Sequence, residues 1–187
     1  MSSVNDIIRK RRSVYPAQYL DKEIPREIIE ELLENANHAP THKLTEPWRF
    51  KVFMGESKVR LGEFLSRKYV EVTPDYVEAK RDKIKANPTK AGALLAIILH
   101  RDPKERVPEW EEVASVACAI QNIWIGLDQY GLGGYWSSPG LCQYLNEHVS
   151  MEANETCIGF FYMGYCEPSD KMIKKGAISD KIEWIES

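Results

Sequence analysis

The sequence predicts a mixed α/β domain built around one sheet, and three observations carry that prediction. The run Gly92-Ala93-Leu94-Leu95-Ala96-Ile97-Ile98-Leu99 has no polar alternation, which is the pattern of a strand buried on both faces. A second such run, Thr156 to Gly164, lies near the end of the chain. Segments of helical period alternate with strands in the order helix, helix, strand, helix, strand, helix, strand, helix, strand.

Val4, Ile7 and Ile8 form a short apolar face at helical spacing, followed by the basic run Arg9-Lys10-Arg11-Arg12. Cations in a last helical turn complement the helix dipole, and adjacent guanidiniums with Ser13 also suit phosphate oxygens. Both readings stand at this point. Ile24-Pro25 opens a second helix, with Glu27, Glu30 and Glu31 near its start and Ile28, Ile29, Leu32, Leu33 and Ala36 on one face. The helix runs into a polar loop, His38 to Trp48. Pro40 and Pro47 stiffen that loop and bias Ala39 and Glu46 away from helix. The loop carries two imidazoles, an ammonium, two hydroxyls and a carboxylate, more than a plain connection needs. An ordinary surface turn is the simpler account.

Trp48, Phe50 and Val52 alternate with Arg49 and Lys51, the period of a half-buried strand that Gly55 ends. Leu61, Phe64 and Leu65 mark the next helix. Thr73 to Lys90 is charged and weakly amphipathic, a mobile helix or lid, and Arg101 to Pro108 is a polar loop suited to the rim of a pocket. Glu109 to Tyr130 is apolar around most of its circumference, yet Ser115, Gln121, Asn122 and the acids at both ends argue against a membrane span. A helix with the sheet on one side and another subunit on the other fits better. Gly131 stops it, and the glycines that follow let a backbone approach something closely. They end a helix instead of joining a strand to one, so they are not a dinucleotide fingerprint. A turn explains those glycines but not Trp136-Ser137-Ser138. Leu141 to Val149 reads as a short helix, and the tail's late apolar residues Ile182, Trp184 and Ile185 suggest docking on a partner chain.

With 187 residues the chain fits one domain with a real core, and a net charge of -3 gives no reason to expect nucleic acid or an acidic membrane as partner. The amino terminus has no apolar leader region. Cys118, Cys142, Cys157 and Cys166 lack metal-ligand spacing and read as free thiols in a reducing cytoplasm. The histidines His38, His42, His100 and His148 include no H-E-x-x-H pair and form no local ligand set, so no metal is expected.

Five pieces come in one order: Arg11-Arg12-Ser13 after the first helix, Ala39-Pro40 with Pro47-Trp48 opening a strand, Gln121-Asn122 within the long apolar helix, Gly131-Leu132-Gly133 followed by Trp136, and a late strand ending in Gly164. In that combination, over nearly its whole length, the chain resembles the FMN-dependent nitroreductase family in its small single-domain form. The resemblance implies an α+β fold, an α/β/α sandwich whose central mixed, mainly antiparallel sheet is flanked by helices. It implies one domain over 1–187, an intertwined homodimer joined through long helices, and a tail over 165–187 docked on the partner. One FMN would sit at each end of the interface, bound by both chains. Arg11, Arg12 and Ser13 would hold its phosphate and ribityl chain and reach the ring edge. His42 would lie near the flavin, and His38 would reach in from the partner. Trp136, Ser137 and Ser138 would run along the ring, and Lys174 with Lys175 would add phosphate charge. A cation from Arg12 or Lys43 would face the N1/O2 edge. Many members carry Asn and Gln where this chain has Leu44 and Glu46, so amide contacts to the pyrimidine must come from Lys43 or main chain.

The implied activity is ping-pong: NADH or NADPH gives hydride to flavin N5, then a nitroaromatic, quinone or similar electrophile takes the electrons. The cofactor carries that chemistry, so no catalytic side chain is required. Three alternatives stay open. They are a flavin-binding or redox-sensing protein without efficient turnover, an FMN-dependent dehydrogenase or dehalogenase on the same fold, and a nucleic-acid binder through the basic run, whose affinity would fall steeply with salt.

Overall fold

A computed structural model describes residues 3–169 and 173–186. Along the chain it contains α1 (Val4–Lys10), α2 (Arg26–Asn37), β1 (Trp48–Phe53), α3 (Glu56–Val72), α4 (Glu78–Lys90), β2 (Ala93–His100), α5 (Glu109–Gly126), β3 (Leu132–Ser137) and β4 (Glu155–Tyr165). The strands pair in the order β1-β2-β4-β3, every ladder antiparallel. The sheet's one parallel feature among the described residues is a bridge from Ser13 to Gly134 on the outer edge of β3.

Continuous apolar sequence makes β2 the centre of two cores. Successive side chains of a strand point to opposite faces. Ala93, Leu95, Ile97 and Leu99 therefore meet Ile29, Leu32 and Ala36 of α2 and Val116, Ala119, Ile120 and Ile123 of α5. Leu94, Ala96 and Ile98 meet Leu61, Phe64 and Leu65 of α3 and Leu145 from a short 3₁₀ segment, Gly140–Glu147. β4 divides in the same way, with Phe161 and Met163 on the first side and Phe160 and Tyr162 on the second. The result is the expected α/β/α sandwich. Opposite Ile97 and Ile98 the register of β4 shifts by one residue, from Gly159 to Cys157, leaving Ile158 as a bulge.

The helices end and join where their sequences direct. Ser3 caps α1, accepting from Asp6 N at 3.2 Å while Asp6 Oδ2 accepts from Ser3 N at 3.1 Å. Asn122 of α5 donates to the Asn35 carbonyl at 3.0 Å, tying α5 to the last turn of α2. On α5 the residues Trp110, Ala114 and Cys118, spaced by four, are exposed on the side away from the sheet. The charged stretch predicted as a mobile helix or lid is largely α4, lying along α3, with Val77 N donating to Tyr69 Oη at 3.2 Å at its start. Lys68 of α3 reaches Glu71 at 2.9 Å and Glu147 at 2.6 Å, holding the 3₁₀ segment in place. All four cysteines carry free thiols. Among the described residues no helix is long and apolar enough to cross a membrane, and no His, Cys, Asp and Glu group is arranged to hold a metal.

His148 lies against Phe64 and Phe53, ring centroids 4.9 and 6.2 Å away. Burial, then the charges of Arg60 and Arg67, lower its pKa. The folded chain therefore keeps this ring neutral while the unfolded chain still takes up a proton near pH 6.5. Stability from this residue is complete above that pH and is lost as pH falls toward the lower folded value. The urea midpoint is expected to drop between pH 7.5 and 5, and His148→Phe is expected to flatten that drop. An unchanged slope in the variant would assign the effect elsewhere.

Candidate functional site

The first grouping of predicted residues is built by the exit from α1. Arg11 is the C-cap, its N–H donating to Ile7 O at 3.0 Å, and the chain beyond it runs extended. Val14 N donates to Gly134 O at 3.0 Å, and Ser13 bridges Gly134, which lays Arg11-Arg12-Ser13 along the outer edge of β3. The approach is close. A Cβ on Gly133 would sit 2.6 Å from a Val14 methyl, so this glycine admits the protein's own segment. The Arg11 guanidinium lies over the Trp124 ring, 4.3 Å from its centroid, and Trp124 Nε1 donates to the Arg12 carbonyl at 3.3 Å.

Between this segment, the end of α5 and β3 opens a cavity of about 230 Å³, whose walls include Lys10, Arg11, Arg12, Trp124, Gly133, Gly134 and Cys166. Three cations stand there against Asp128 and Glu167. Arg11 Nη1 is buried with no hydrogen-bond partner among the described residues. A buried guanidinium nitrogen without an acceptor is costly, and an anion would satisfy it. Burial pushes the Cys166 thiol up, against the pull of the Arg12 charge.

The far part of β3 carries Trp136, Ser137 and Ser138. Trp136 is half-buried against the α5-side core, and its Nε1 is also buried without a partner among the described residues. Gly159 makes room for it, since a Cβ there would collide with Trp136 Nε1. Ser137 is half-buried, and Ser138, just past the strand, is exposed.

The polar loop forms a second grouping at the other end of α5. His38 closes α2, its Nε2 3.2 Å from Glu34. His42 Nδ1 is 2.5 Å from Glu111 Oε2 in the first turn of α5. Lys43 Nζ donates to Arg106 O at 2.9 Å and Arg106 Nη1 to Lys43 O at 3.5 Å, clasping the predicted rim loop. Lys43, Leu44 and Glu46 all have left-handed φ, at 51°, 51° and 43°. Glu46 departs here from the extended form its proline favours. Such residues cost about 1–3 kcal/mol each and persist only where neighbours impose them, as the Arg106 clasp and the Thr41 Oγ1 acceptor to Glu46 N do. Arg106 pairs with Asp102 at 2.6 Å and holds that carboxyl down at about 2. Lys174 is exposed on the tail.

Within one chain, then, Arg11, Arg12 and Ser13 share an edge with the strand of Trp136, Ser137 and Ser138. His38, His42 and Lys43 do not join them. Glu111, which anchors His42, and the Arg11 platform Trp124 are thirteen residues apart on α5, about 20 Å at the rise of an α-helix. Trp124 and Cys166 went unnoticed in the sequence as parts of the cavity. A tryptophan in the last turns of the long apolar helix was the available signal for the first, and nothing marked the second.

A model of the nitroreductase family matches residues 8–165. The Bacillus subtilis (strain 168) protein named "Putative NAD(P)H nitroreductase YfhC" is 27% identical over 183 residues, covering 96% of this chain and 93% of its own. "Putative NAD(P)H nitroreductase YdjA" of Escherichia coli (strain K12) is 26% identical over 140 residues, 74% of this chain and 75% of that protein. Among solved structures, a nitroreductase-like family protein from Bacillus cereus superposes with a TM-score of 0.84 at 25% identity, covering 100% of this chain and 98% of the other. A nitroreductase with bound FMN from Bacteroides fragilis NCTC 9343 superposes at 0.73 with 20% identity, over 100% of both chains.

Proposed function

The chain belongs to the nitroreductase family, and we propose that it works there as an FMN-dependent NAD(P)H oxidoreductase acting on nitroaromatics, quinones or similar electrophiles. The observation that carries this reading is the buried, unpartnered Arg11 Nη1 in a cation-rich cavity along β3. A flavin phosphate fits that donor set. The planar Arg11 fork would donate to it, with Lys10 and Arg12 adding charge, and Ser13 would supply a hydroxyl toward the ribityl chain. Trp136, Ser137 and Ser138, continuing along β3, would line the ring. When bound, FMN supplies hydride chemistry, taking electrons from NADH or NADPH and delivering them to the acceptor in ping-pong order. Side chains of this protein bind, orient and exclude water, and none needs to act as acid or base.

The same reading includes a homodimer. The exposed stripe Trp110, Ala114 and Cys118 leaves α5 with an uncovered side, and the tail exposes Ile182, Trp184 and Ile185 at 47%, 79% and 86%. An antiparallel pairing of α5 with its copy would bring the start of one helix to the end of the other. His42 and Lys43 of one chain would then face the Arg11–Ser13 edge of the second, and Lys43 would offer a cation toward the flavin's pyrimidine edge. His38 would approach from the same side, and the docked tail would carry Lys174 toward the phosphate. A nicotinamide-dependent reductase of this kind would work in the cytoplasm.

The decisive measurement is the absorption spectrum of the purified protein before and after NADH. An oxidised-flavin spectrum that bleaches with NADH or NADPH and returns on adding a nitroaromatic or quinone is expected. Colourless protein that cannot be reconstituted with FMN would overturn the proposal. Retained flavin that NAD(P)H does not bleach would leave a flavin-binding protein in its place.

A further inference from the structure

A second cavity, of about 490 Å³, opens between α3, α4, the 3₁₀ segment Gly140–Glu147 and the strands β3 and β4. Its lining includes Tyr162 and Leu65, which belong to the core on the side of the sheet away from α5. Pockets of this volume hold small organic molecules. Four tyrosines, Tyr69, Tyr135, Tyr144 and Tyr162, give it flat aromatic walls. Those walls are fixed: Tyr135 stacks on Tyr162 with centroids 5.1 Å apart and 18° between the rings. On the opposite wall, Lys68 pairs with Glu147 and lies 5.2 Å from the Tyr144 ring, holding that tyrosine's segment against α3.

Two features choose the ligand. Tyr162 is only 6% exposed, yet it lines the cavity and its hydroxyl has no hydrogen bond among the described residues. Burial pushes this phenol's pKa up, so it stays protonated and able to donate to a bound acceptor. Lys80, 5.1 Å from the Tyr69 ring, is the one ammonium among the described residues of the lining, and no described carboxylate lines the cavity. A cation is therefore disfavoured and an anion is not.

We propose that this cavity is a binding site for a planar aromatic anion of about two fused rings, its rings between the tyrosine faces, an oxygen accepting from Tyr162 and its charge turned to Lys80. The site uses none of the cations of the Arg11 cavity; it shares Ser137 with the proposed flavin edge, but its tyrosine walls and Lys80 lie outside that edge, so the proposal stands whether or not the flavin reading does. The test is calorimetric titration of the full-length protein, as purified, with 2-naphthoate and with its neutral amide. One 2-naphthoate per chain is expected, undisturbed by excess FMN. Tyr162→Phe keeps the stacked ring and removes only the donor, and should weaken 2-naphthoate about ten-fold. Lys80→Gln should weaken the anion and leave the amide unchanged. Leu141→Trp should fill the cavity and abolish both. Absence of saturable binding to the wild type, displacement by FMN, or affinity unmoved by both Tyr162→Phe and Leu141→Trp would each overturn the proposal.

Discussion

Replacing Glu112 with alanine is expected to destabilise the protein by about 3–5 kcal/mol, the cost of breaking a buried ion pair from one side. Glu112 is 1% exposed in the first turn of α5, where its charge also complements the helix dipole. One carboxylate oxygen takes the Arg101 guanidinium and the other accepts from Asp102 N at 3.1 Å. Without it, Arg101 keeps a largely buried charge that has lost its paired carboxylate, and the Asp102 amide loses its acceptor. For a chain of this size the melting midpoint should fall by roughly 10 °C. Glu112→Gln keeps the acceptor for Asp102 and should fall less. The loss should also reach the clasped loop, because Asp102 fixes Arg106, and Arg106 fixes Lys43. A midpoint within about 2 °C of wild type would show that Arg101 finds equal compensation in solvent.

The second large effect concerns the flavin. Arg11→Ala is expected to raise the dissociation constant for FMN about 10- to 100-fold, the worth of one or more charge-assisted hydrogen bonds. Stability should change little by comparison. Arg11 Nη1 bonds no described residue, so the fold loses mainly the contact with Trp124, worth about 0.5–2 kcal/mol. Arg11→Lys should recover only part of the affinity, because an ammonium lacks the planar fork. Fluorescence titration of flavin-free protein gives the constant, and circular dichroism checks the fold. Unchanged affinity in the alanine variant would return Arg11 to the role of a helix-end charge.

Much of the fold was legible because burial writes itself into sequence period. The unbroken apolar run of β2 announced two cores, and the stripes of α2 and α5 announced what would cover one of them. Boundaries followed from local chemistry, such as Pro25 before α2 and Gly131 after the last turn of the α5 segment, with φ of 65°. The site was less legible. Arg11-Arg12-Ser13 and Trp136-Ser137-Ser138 stood out as polar or aromatic runs that turns and caps did not explain, yet their shared edge depends on a pairing between residues 13 and 134 that no local pattern encodes. The glycines at 133 and 134 were read as admitting something close, and what they admit is Val14, Cys166 and neighbouring strand and helix atoms. Glu112 gave only the faint signal of an acid in an apolar helix. The tyrosine cavity gave none, since its four rings are scattered from residue 69 to residue 162 and meet only through the fold.

The length of α5 has its own consequence. Glu111 anchors the polar loop at one end of this helix and Trp124 anchors Arg11 and Arg12 at the other. Deleting one residue between them would shorten the span by about 1.5 Å and turn one anchor about 100° around the axis relative to the other. Relatives of this chain can therefore vary the exposed positions of the helix more readily than its residue count. Insertions and deletions should collect instead in the connections around it, such as the α3 to α4 link.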